Sequence, residues 1–162
     1  MKNIVYIFLA LTLLTCEEKQ PSETSLTVKE KKFTFATWTN AGGDFDSVKW
    51  TAKLAYYDSL GISEVLVHGG HEFLEQLVPL ATKKNIKIHA WIWTLNRPND
   101  TVANKNPDWY AVNRNGQNSL DYRAYVDYYQ WLSPFSSGAR EYIKNNILKL
   151  AKVKGLASIH LD

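Results

Sequence analysis

The sequence contains a single cysteine, Cys16, among its 162 residues, and little excess charge of either sign. One cysteine cannot form a disulfide bond within the chain, which excludes an internal disulfide framework. The net charge is +3, and the one short basic run, residues 29–32, is interrupted by Glu30. This charge distribution argues against nucleic-acid binding, and we expect no nucleic-acid partner.

The N-terminal segment has no apolar stretch long enough to cross a bilayer comfortably. Ile4–Leu14 has eleven residues and follows the positively charged Lys2, a pattern typical of a secretion signal. The next residues, Leu13-Leu14-Thr15-Cys16, resemble a lipoprotein signal-peptidase site. We therefore predict that residues 1–15 are a lipoprotein signal peptide and that lipid on Cys16 anchors the exported chain in the cell envelope, at the outer membrane or the periplasmic face. The alternative is an ordinary signal peptide followed by a chance cysteine.

Residues 16–32 form a second segment with few large apolar side chains. Eight of the sixteen residues in 17–32 are charged, and only Leu26 and Val28 are large and apolar. Such a composition cannot bury enough apolar surface to order itself. We predict a flexible polar linker over 16–32 and one folded unit over 33–162.

The folded unit contains alternating strand and helix patterns and no glycine-rich phosphate loop after any strand. This alternation predicts an α/β fold with four parallel strands. The predicted strands are Phe33–Asn40, Ile62–His68, Ile86–Thr94 and Leu156–Asp162, and the predicted helices are Asp46–Leu60, Glu72–Lys84 and Ser137–Lys154. Asp46 is predicted to cap the first helix and Gly61 to stop it, and Asn85 is predicted to end the second helix in a left-handed conformation.

The third strand distinguishes a barrel from an open sheet. Ile88, Ala90 and Ile92 fall on one face, whereas His89, Trp91 and Trp93 fall on the other. A doubly wound open sheet more often has apolar residues on both faces of its strands. We therefore predict the N-terminal half of a (β/α)8 TIM barrel, with a long aromatic-rich loop after the third strand.

The segment 96–135 is too long to be a plain connection and should lie over the mouth of the barrel. Between residues 109 and 135 it contains eight aromatic side chains: Trp109, Tyr110, Tyr122, Tyr125, Tyr128, Tyr129, Trp131 and Phe135. Aromatic faces can stack on sugar rings, although these side chains could instead form the private core of a long loop. The predicted substrate-binding residues, for a carbohydrate or another polar, ring-shaped substrate, are Trp38, His68, Trp91, Trp93, Asn96, Trp109, Tyr128 and His160.

Asp162 is the candidate catalytic residue because it is the last residue of a predicted strand, at the end where β/α barrels carry their chemistry. Glycoside hydrolysis uses two carboxyl groups, and the sequence offers no convincing second one, since Glu64 falls early in its strand. A substrate-binding or structural carboxylate is the alternative role for Asp162.

Three histidines near predicted strand ends, His68, His89 and His160, raise the alternative of a zinc site. They show neither a His-x-His nor a His-Glu-x-x-His spacing. We therefore expect no metal and no cofactor.

Four segments resemble the bacterial family-10-like glycosylhydrolases: 89–96 (HAWIWTLN), 106–116 (NPDWYAVNRNG), 125–134 (YVDYYQWLSP) and 155–162 (GLASIHLD). The resemblance implies an exported, often lipidated TIM-barrel hydrolase whose chain continues past the aspartate that matches Asp162. A chitinase-like enzyme is a further alternative, in which His160 replaces one of the alternating acids of the fourth strand.

Two hypotheses for function follow. In the first, the chain is the front half of an exported glycoside hydrolase and is inactive alone. In the second, it is a non-catalytic, carbohydrate-binding surface lipoprotein on a barrel scaffold.

The lipoprotein hypothesis predicts that the mature chain begins at Cys16 and carries lipid there. Mass spectrometry of protein from the membrane fraction should find a lipid-modified N-terminal cysteine, and Cys16→Ser should release the chain from membranes. An unmodified Cys16, or cleavage at another bond, would contradict this prediction.

Overall fold

The computed structural model describes residues 33–123 and 126–162, so the predicted signal peptide, Cys16, the linker and Tyr125 lie outside the described residues. The described strands all pair in parallel, in the order β1-β2-β3-β4, which confirms the predicted α/β class. In chain order the elements are β1 Phe35–Asn40, α1 Ser47–Ser59, β2 Ile62–His68, α2 His71–Thr82, β3 Lys87–Ile92, α3 Ser137–Ala151 and β4 Ser158–Leu161. Two short 3-10 turns, Ala103–Lys105 and Pro107–Trp109, lie in the long loop between β3 and α3.

Several predicted strands and helices extend one to three residues beyond the ends that the structure shows. Strand β1 begins at Phe35 because the pairing with β2 begins there. Helix α2 ends at Thr82, and a turn closed by the bond from Asn85 N to Thr82 O follows it. Asn85 has a φ of 56°, which confirms the left-handed residue predicted at this stop.

Local chemistry sets the ends of α1 as the sequence predicted. The Asp46 carboxylate accepts hydrogen bonds of 3.0 Å from the backbone N–H groups of Val48 and Lys49. These bonds satisfy two of the N–H groups that a helix start leaves without a partner, and they lower the pKa of Asp46. Gly61, with a φ of 73°, makes the left-handed turn that ends the helix.

One face of the sheet packs against all three helices and forms the main core. Val65 and Val67 of β2 and Ile88 and Ala90 of β3 are at most 1% exposed, and they belong to one apolar cluster with side chains of α1, α2 and α3. Burying such a side chain contributes about 1.5–3 kcal/mol. Within the described part of the chain, no helix is long and apolar enough to cross a membrane.

The long loop has a second core of its own, packed on α3. Its centre is Tyr110, which is 2% exposed and donates a hydrogen bond of 2.6 Å to Asn104 Oδ1. Leu132 and Ala139 pack beside it. The predicted alternative, a private loop core, therefore holds for part of the aromatic segment.

Close packing between the loop and α3 predicts that Gly138→Ala is destabilising. A Cβ at position 138 would lie 2.7 Å from Cε2 of Trp109 and nearer still to Nε1. Alanine normally favours a helix over glycine by up to about 1 kcal/mol, but here the steric conflict should outweigh that gain and cost about 1–3 kcal/mol.

The matched control is Ser137→Ala, at the exposed neighbouring position of the same helix, which should change the free energy of unfolding by less than about 0.5 kcal/mol. Thermal unfolding followed by circular dichroism measures both. Equal melting temperatures for Gly138→Ala and the parent chain would show that Trp109 is not packed against α3.

Candidate functional site

The face of the sheet opposite the helices, here called the inner face, has no element over most of it in the described part of the chain. Side chains alternate along each strand, so the burial of Ile88 and Ala90 directs His89 and Trp91 to the inner face. Trp91 pairs in register with His160 of β4, and Trp38 of β1 pairs with Leu66 of β2. Side chains far apart in the sequence therefore meet on one surface.

Trp91 lies at the centre of a cluster of rings on this surface. The Trp38 ring meets Trp91 edge-on, with centroids 5.2 Å apart, and meets His160 edge-on at 4.6 Å. His68 lies 5.1 Å from Trp91 and 5.6 Å from Trp93. Edge-to-face packing fixes ring orientation while leaving ring faces uncovered, and Trp38 remains 49% exposed.

The cluster continues into the long loop through Tyr128. Its ring stacks on that of Trp93 at a centroid distance of 6.2 Å, with an angle of 11° between the planes. Tyr129 and Trp131 extend the row of rings, and Tyr128 and Trp131 are 52% and 41% exposed. We define the aromatic face as Trp38, His68, Trp91, Trp93, Tyr128 and His160.

Asp162 joins the aromatic face through a side-chain hydrogen bond. Trp91 Nε1 donates to Asp162 Oδ2 at 3.2 Å. Asp162 also continues the backbone ladder beyond β4, because its N–H donates to Ile92 O at 2.9 Å and its carbonyl accepts from Thr94 N at 2.7 Å. An exposed carboxylate therefore lies at the C-terminal end of the sheet, beside the rings.

A polar network occupies the inner face nearer the N-terminal ends of the strands. His89 Nδ1 and Ser158 Oγ are 2.7 Å apart, and His89 Nε2 lies 3.5 Å from Glu64 Oε2 without the geometry of a hydrogen bond. Lys87 Nζ lies 3.3 Å from Glu64 Oε1. Glu64 is therefore held in an ion pair.

The separation between Glu64 and Asp162 follows from strand register. In the backbone register, Glu64 lies opposite Lys87, the first residue of β3. Asp162 lies opposite Trp93, the residue that follows β3. Six residues at about 3.3 Å each place the two levels roughly 20 Å apart along the strand direction. Two carboxyl groups that cleave a glycosidic bond lie about 5–9.5 Å apart. This separation of the backbone levels, together with the ion pair between Glu64 and Lys87, argues against Glu64 as the second carboxylate for Asp162.

Two predicted substrate-binding residues lie in the loop core instead of on the aromatic face. Asn96 is 5% exposed, and its Oδ1 accepts a hydrogen bond of 3.0 Å from Gln130 N, which ties the start of the loop to its end. Trp109 packs on Tyr142 of α3, with ring centroids 5.5 Å apart. The geometry gives both side chains a structural role, and a contact with substrate stays a prediction for each.

The three histidines of the zinc alternative are not brought together. Within 33–123 and 126–162, no group of three or more His, Cys, Asp or Glu side chains is placed to hold a metal ion. His160 lies against Trp38, His89 lies beside Ser158, and His68 lies between the rings of Trp91 and Trp93.

Sequence reasoning missed a cavity of about 490 Å³ beside the aromatic face. It lies between the start of α2 and α3, and its walls include His68, Gly70, Arg97 and Tyr142. Gly70 is recognisable in the sequence only as a strand break, and nothing in the pattern around Arg97 indicates its position. Burial raises the pKa of Tyr142, which therefore stays protonated at neutral pH and donates a hydrogen bond of 2.7 Å to Asp100 Oδ2.

No protein-family model matches the chain, and no curated protein matches its sequence. Among solved structures, it is similar to a maltogenic α-amylase from Thermotoga neapolitana, with 14% identity and a TM-score of 0.59 over 80% of this chain and 39% of the amylase. It is also similar to an α-galactosidase from Geobacillus stearothermophilus in complex with raffinose, with 13% identity and a TM-score of 0.55 over 80% of this chain and 21% of the galactosidase. A hypothetical protein from Ruminiclostridium thermocellum matches with 15% identity and a TM-score of 0.60, over 77% of this chain and 74% of that protein.

At these identities the similarity shows the fold alone. The amylase and the galactosidase are β/α-barrel glycoside hydrolases, which confirms the barrel-type α/β class. The chain spans less than two fifths of either enzyme. These matches do not distinguish the family-10-like glycosylhydrolases from other β/α-barrel hydrolases, so the resemblance to that family stays a hypothesis.

Electrostatics predict that His68 is neutral at pH 7. Burial, and secondarily the positive charge of Arg97, lowers the pKa of His68 below the ordinary value of 6.5. An NMR titration should place this pKa below 6.5 and show that Arg97→Gln moves it upward only in part, because burial is the larger cause.

The lowered pKa of His68 also determines how folding stability changes with pH. The unfolded chain binds the proton more readily, so this histidine reduces folding stability as pH falls below its unfolded pKa. Arg140→Gln, an exposed arginine change on α3, is the control and should leave the His68 pKa unchanged. A His68 pKa above 6.5 would contradict the burial of its ring.

Proposed function

We propose that the chain is part of an exported glycoside hydrolase that cleaves O-glycosidic bonds in a poly- or oligosaccharide, and that the aromatic face binds the glycan. The observation that carries the proposal is the row of rings at the C-terminal ends of the strands, with the Asp162 carboxylate 3.2 Å from Trp91 Nε1. In β/α barrels, binding and catalytic groups come from this end of the strands. The overall fold, shared with enzymes that act on glycans, supports the proposal.

The arrangement of the rings suits a ligand with apolar faces and polar edges. The apolar C–H face of a sugar can cover an exposed ring, and Trp38 and Tyr128 offer such rings on either side of Trp91 and Trp93. The sugar hydroxyl groups then remain free to bond polar groups such as Asp162. Covering an exposed ring removes apolar area from water, which stabilises the complex by about 25 cal/mol for each Å² buried, so several rings in a row strengthen binding.

In this proposal Asp162 is one of the two carboxyl groups of a glycosidase. The second would come from outside the four described strands, since Glu64 is already paired with Lys87 and its backbone lies roughly 20 Å from that of Asp162 along the strand direction. We infer that the four strands and three helices form the front half of a larger barrel and are inactive alone. The open outer edges of β1 and β4 in the described part, and the 39% coverage of the amylase, support this inference.

The second candidate function is a non-catalytic, carbohydrate-binding surface lipoprotein. The match to the hypothetical protein from Ruminiclostridium thermocellum covers 74% of that chain, so a protein of similar length can have this fold without the rest of a long enzyme. Both candidates place the protein in the cell envelope, attached through Cys16, and both use the aromatic face. They differ in whether Asp162 takes part in bond cleavage.

The proposed function predicts that Trp91→Ala and Trp93→Ala weaken glycan binding. Each change removes a ring from the row and should lower affinity about two- to tenfold. Affinity electrophoresis in gels containing soluble polysaccharides measures retention, and circular dichroism checks that the variants fold.

Tyr56→Ala is the matched control because Tyr56 is 61% exposed and lies on α1, on the opposite side of the sheet. Asp162→Asn distinguishes the two candidate functions: in a chain that hydrolyses glycans it should abolish cleavage and preserve binding. If both tryptophan variants fold and are retained as strongly as the parent chain, the aromatic face is not the binding site.

A further inference from the structure

The cavity beside the aromatic face is lined by cations and by a helix N-terminus. Its volume of about 490 Å³ falls within the roughly 300–1,000 Å³ of pockets that hold small ligands. Arg97 from the long loop and Lys149 from α3 lie on its walls, and His71 begins α2 there. None of the described residues that line it is an aspartate or a glutamate.

Arg97 carries a positive charge with no acidic partner. Its Nε donates a long hydrogen bond of 3.4 Å to Thr94 O, and its Cζ lies 5.8 Å from the centroid of the Tyr142 ring, whereas Nη2 is buried without a hydrogen-bond partner among the described residues. Among the described residues, no carboxylate forms an ion pair with this guanidinium. A partly buried charge without a counter-charge is costly, and a bound anion would offset that cost.

The start of α2 adds backbone donors to the same cavity. Gly70 is the N-cap residue, and no side chain caps the first turn, so the first N–H groups of α2 lack a partner within the helix. These N–H groups and the helix dipole favour a negative charge at this position. Gly70 has an ordinary φ of −72°, and a Cβ there would meet no atom within 4 Å, so the space in front of the helix is open.

The remaining polar groups on the walls leave the positive character of the cavity intact. Lys149 Nζ is 3.7 Å from Glu72 Oε1, but Glu72 is 85% exposed and does not line the cavity. His71 Nε2 is 3.4 Å from Glu75 Oε1, which also lies outside the cavity lining. Both carboxylates therefore lie outside the cavity lining, and among the described residues Arg97 is the lining cation that forms no ion pair with a carboxylate.

We propose that this cavity binds an oxyanion carried by the glycan, a carboxylate or sulfate group of an acidic saccharide. The proposal rests on the proposed function, because His68 connects the two sites: it lines the cavity and its ring lies 5.1 Å from Trp91. A sugar stacked on the aromatic face can extend a substituent past His68 towards Arg97. Charge-assisted bonds from a guanidinium, together with free backbone N–H groups, are the donors that recognise such groups.

The experiment compares glycans that differ only in charge. Isothermal titration of the full chain with a uronic-acid oligosaccharide and with its neutral methyl ester should show about tenfold tighter binding of the acid. Arg97→Gln should remove this preference and leave the affinity for the methyl ester unchanged. A sulfated oligosaccharide of the same length, titrated in parallel, distinguishes sulfate from carboxylate as the preferred group.

Two further variants keep the test specific. Arg97→Lys retains the charge but not the planar fork, so it should keep part of the preference and should fold if Arg97→Gln does not. Arg140→Gln removes an exposed arginine on α3 and should leave the preference intact, because Arg140 does not line the cavity.

Inorganic sulfate separates failure of this inference from failure of the proposed function. Sulfate should shift the NMR signals of the Gly70 and His71 amides, and Arg97→Gln should abolish the shifts. These shifts without any glycan binding would support the oxyanion site and overturn the proposed function. Glycan binding without an Arg97-dependent acid preference, or no amide shifts with sulfate, would overturn the inference and leave the proposed function standing.

Discussion

Alternate side chains of β3 point to opposite faces of a parallel sheet, and three helices cover only one of these faces. Ile88, Ala90 and Ile92 are at most 7% exposed on the covered face, where burial supplies the main stabilisation of the sheet. The strand cannot shift its register by one residue without exposing these side chains and burying His89 and Trp91. The register that stabilises the core therefore also fixes the position of the aromatic face. Because the partner strands pair in parallel, their C-terminal ends, and the side chains there, arrive at the same edge.

Most of this architecture follows from sequence periodicity, because the periods of strand and helix are local properties. The alternation in β3 predicted both of its faces, Asp46 predicted the cap of α1, and Asn85 predicted the left-handed stop after α2. Sequence periodicity did not predict the roles of the side chains in the long loop. Trp109 and Tyr128 are both aromatic residues in one segment, yet one packs on α3 and the other stacks on Trp93. Their roles depend on contacts between distant parts of the chain, which composition does not encode.

The inner face has two chemically distinct levels along the strand direction. Near the N-terminal ends, Glu64 and Lys87 neutralise each other at a distance of 3.3 Å, on a surface that a larger barrel would enclose. Near the C-terminal ends, rings and a single exposed carboxylate replace the ion pairs. Charges that are already paired are poor reactive groups, whereas Asp162 accepts a single side-chain hydrogen bond within the described part of the chain, from Trp91. The chemistry open to this sheet is thus confined to its C-terminal edge.

His68 shares a wall with both the aromatic face and the cationic cavity, and its protonation state connects them. Its pKa is lowered first by burial and then by the nearby charge of Arg97, so the ring is neutral at pH 7 and adds no positive charge to the cavity. A neutral ring also packs against Trp91 and Trp93 without the cost of burying a cation. An anion beside Arg97 would offset the guanidinium charge and remove part of the cause that lowers this pKa. Anion binding in the cavity and protonation of His68 should then favour each other, because two equilibria that share one electrostatic interaction are reciprocally linked.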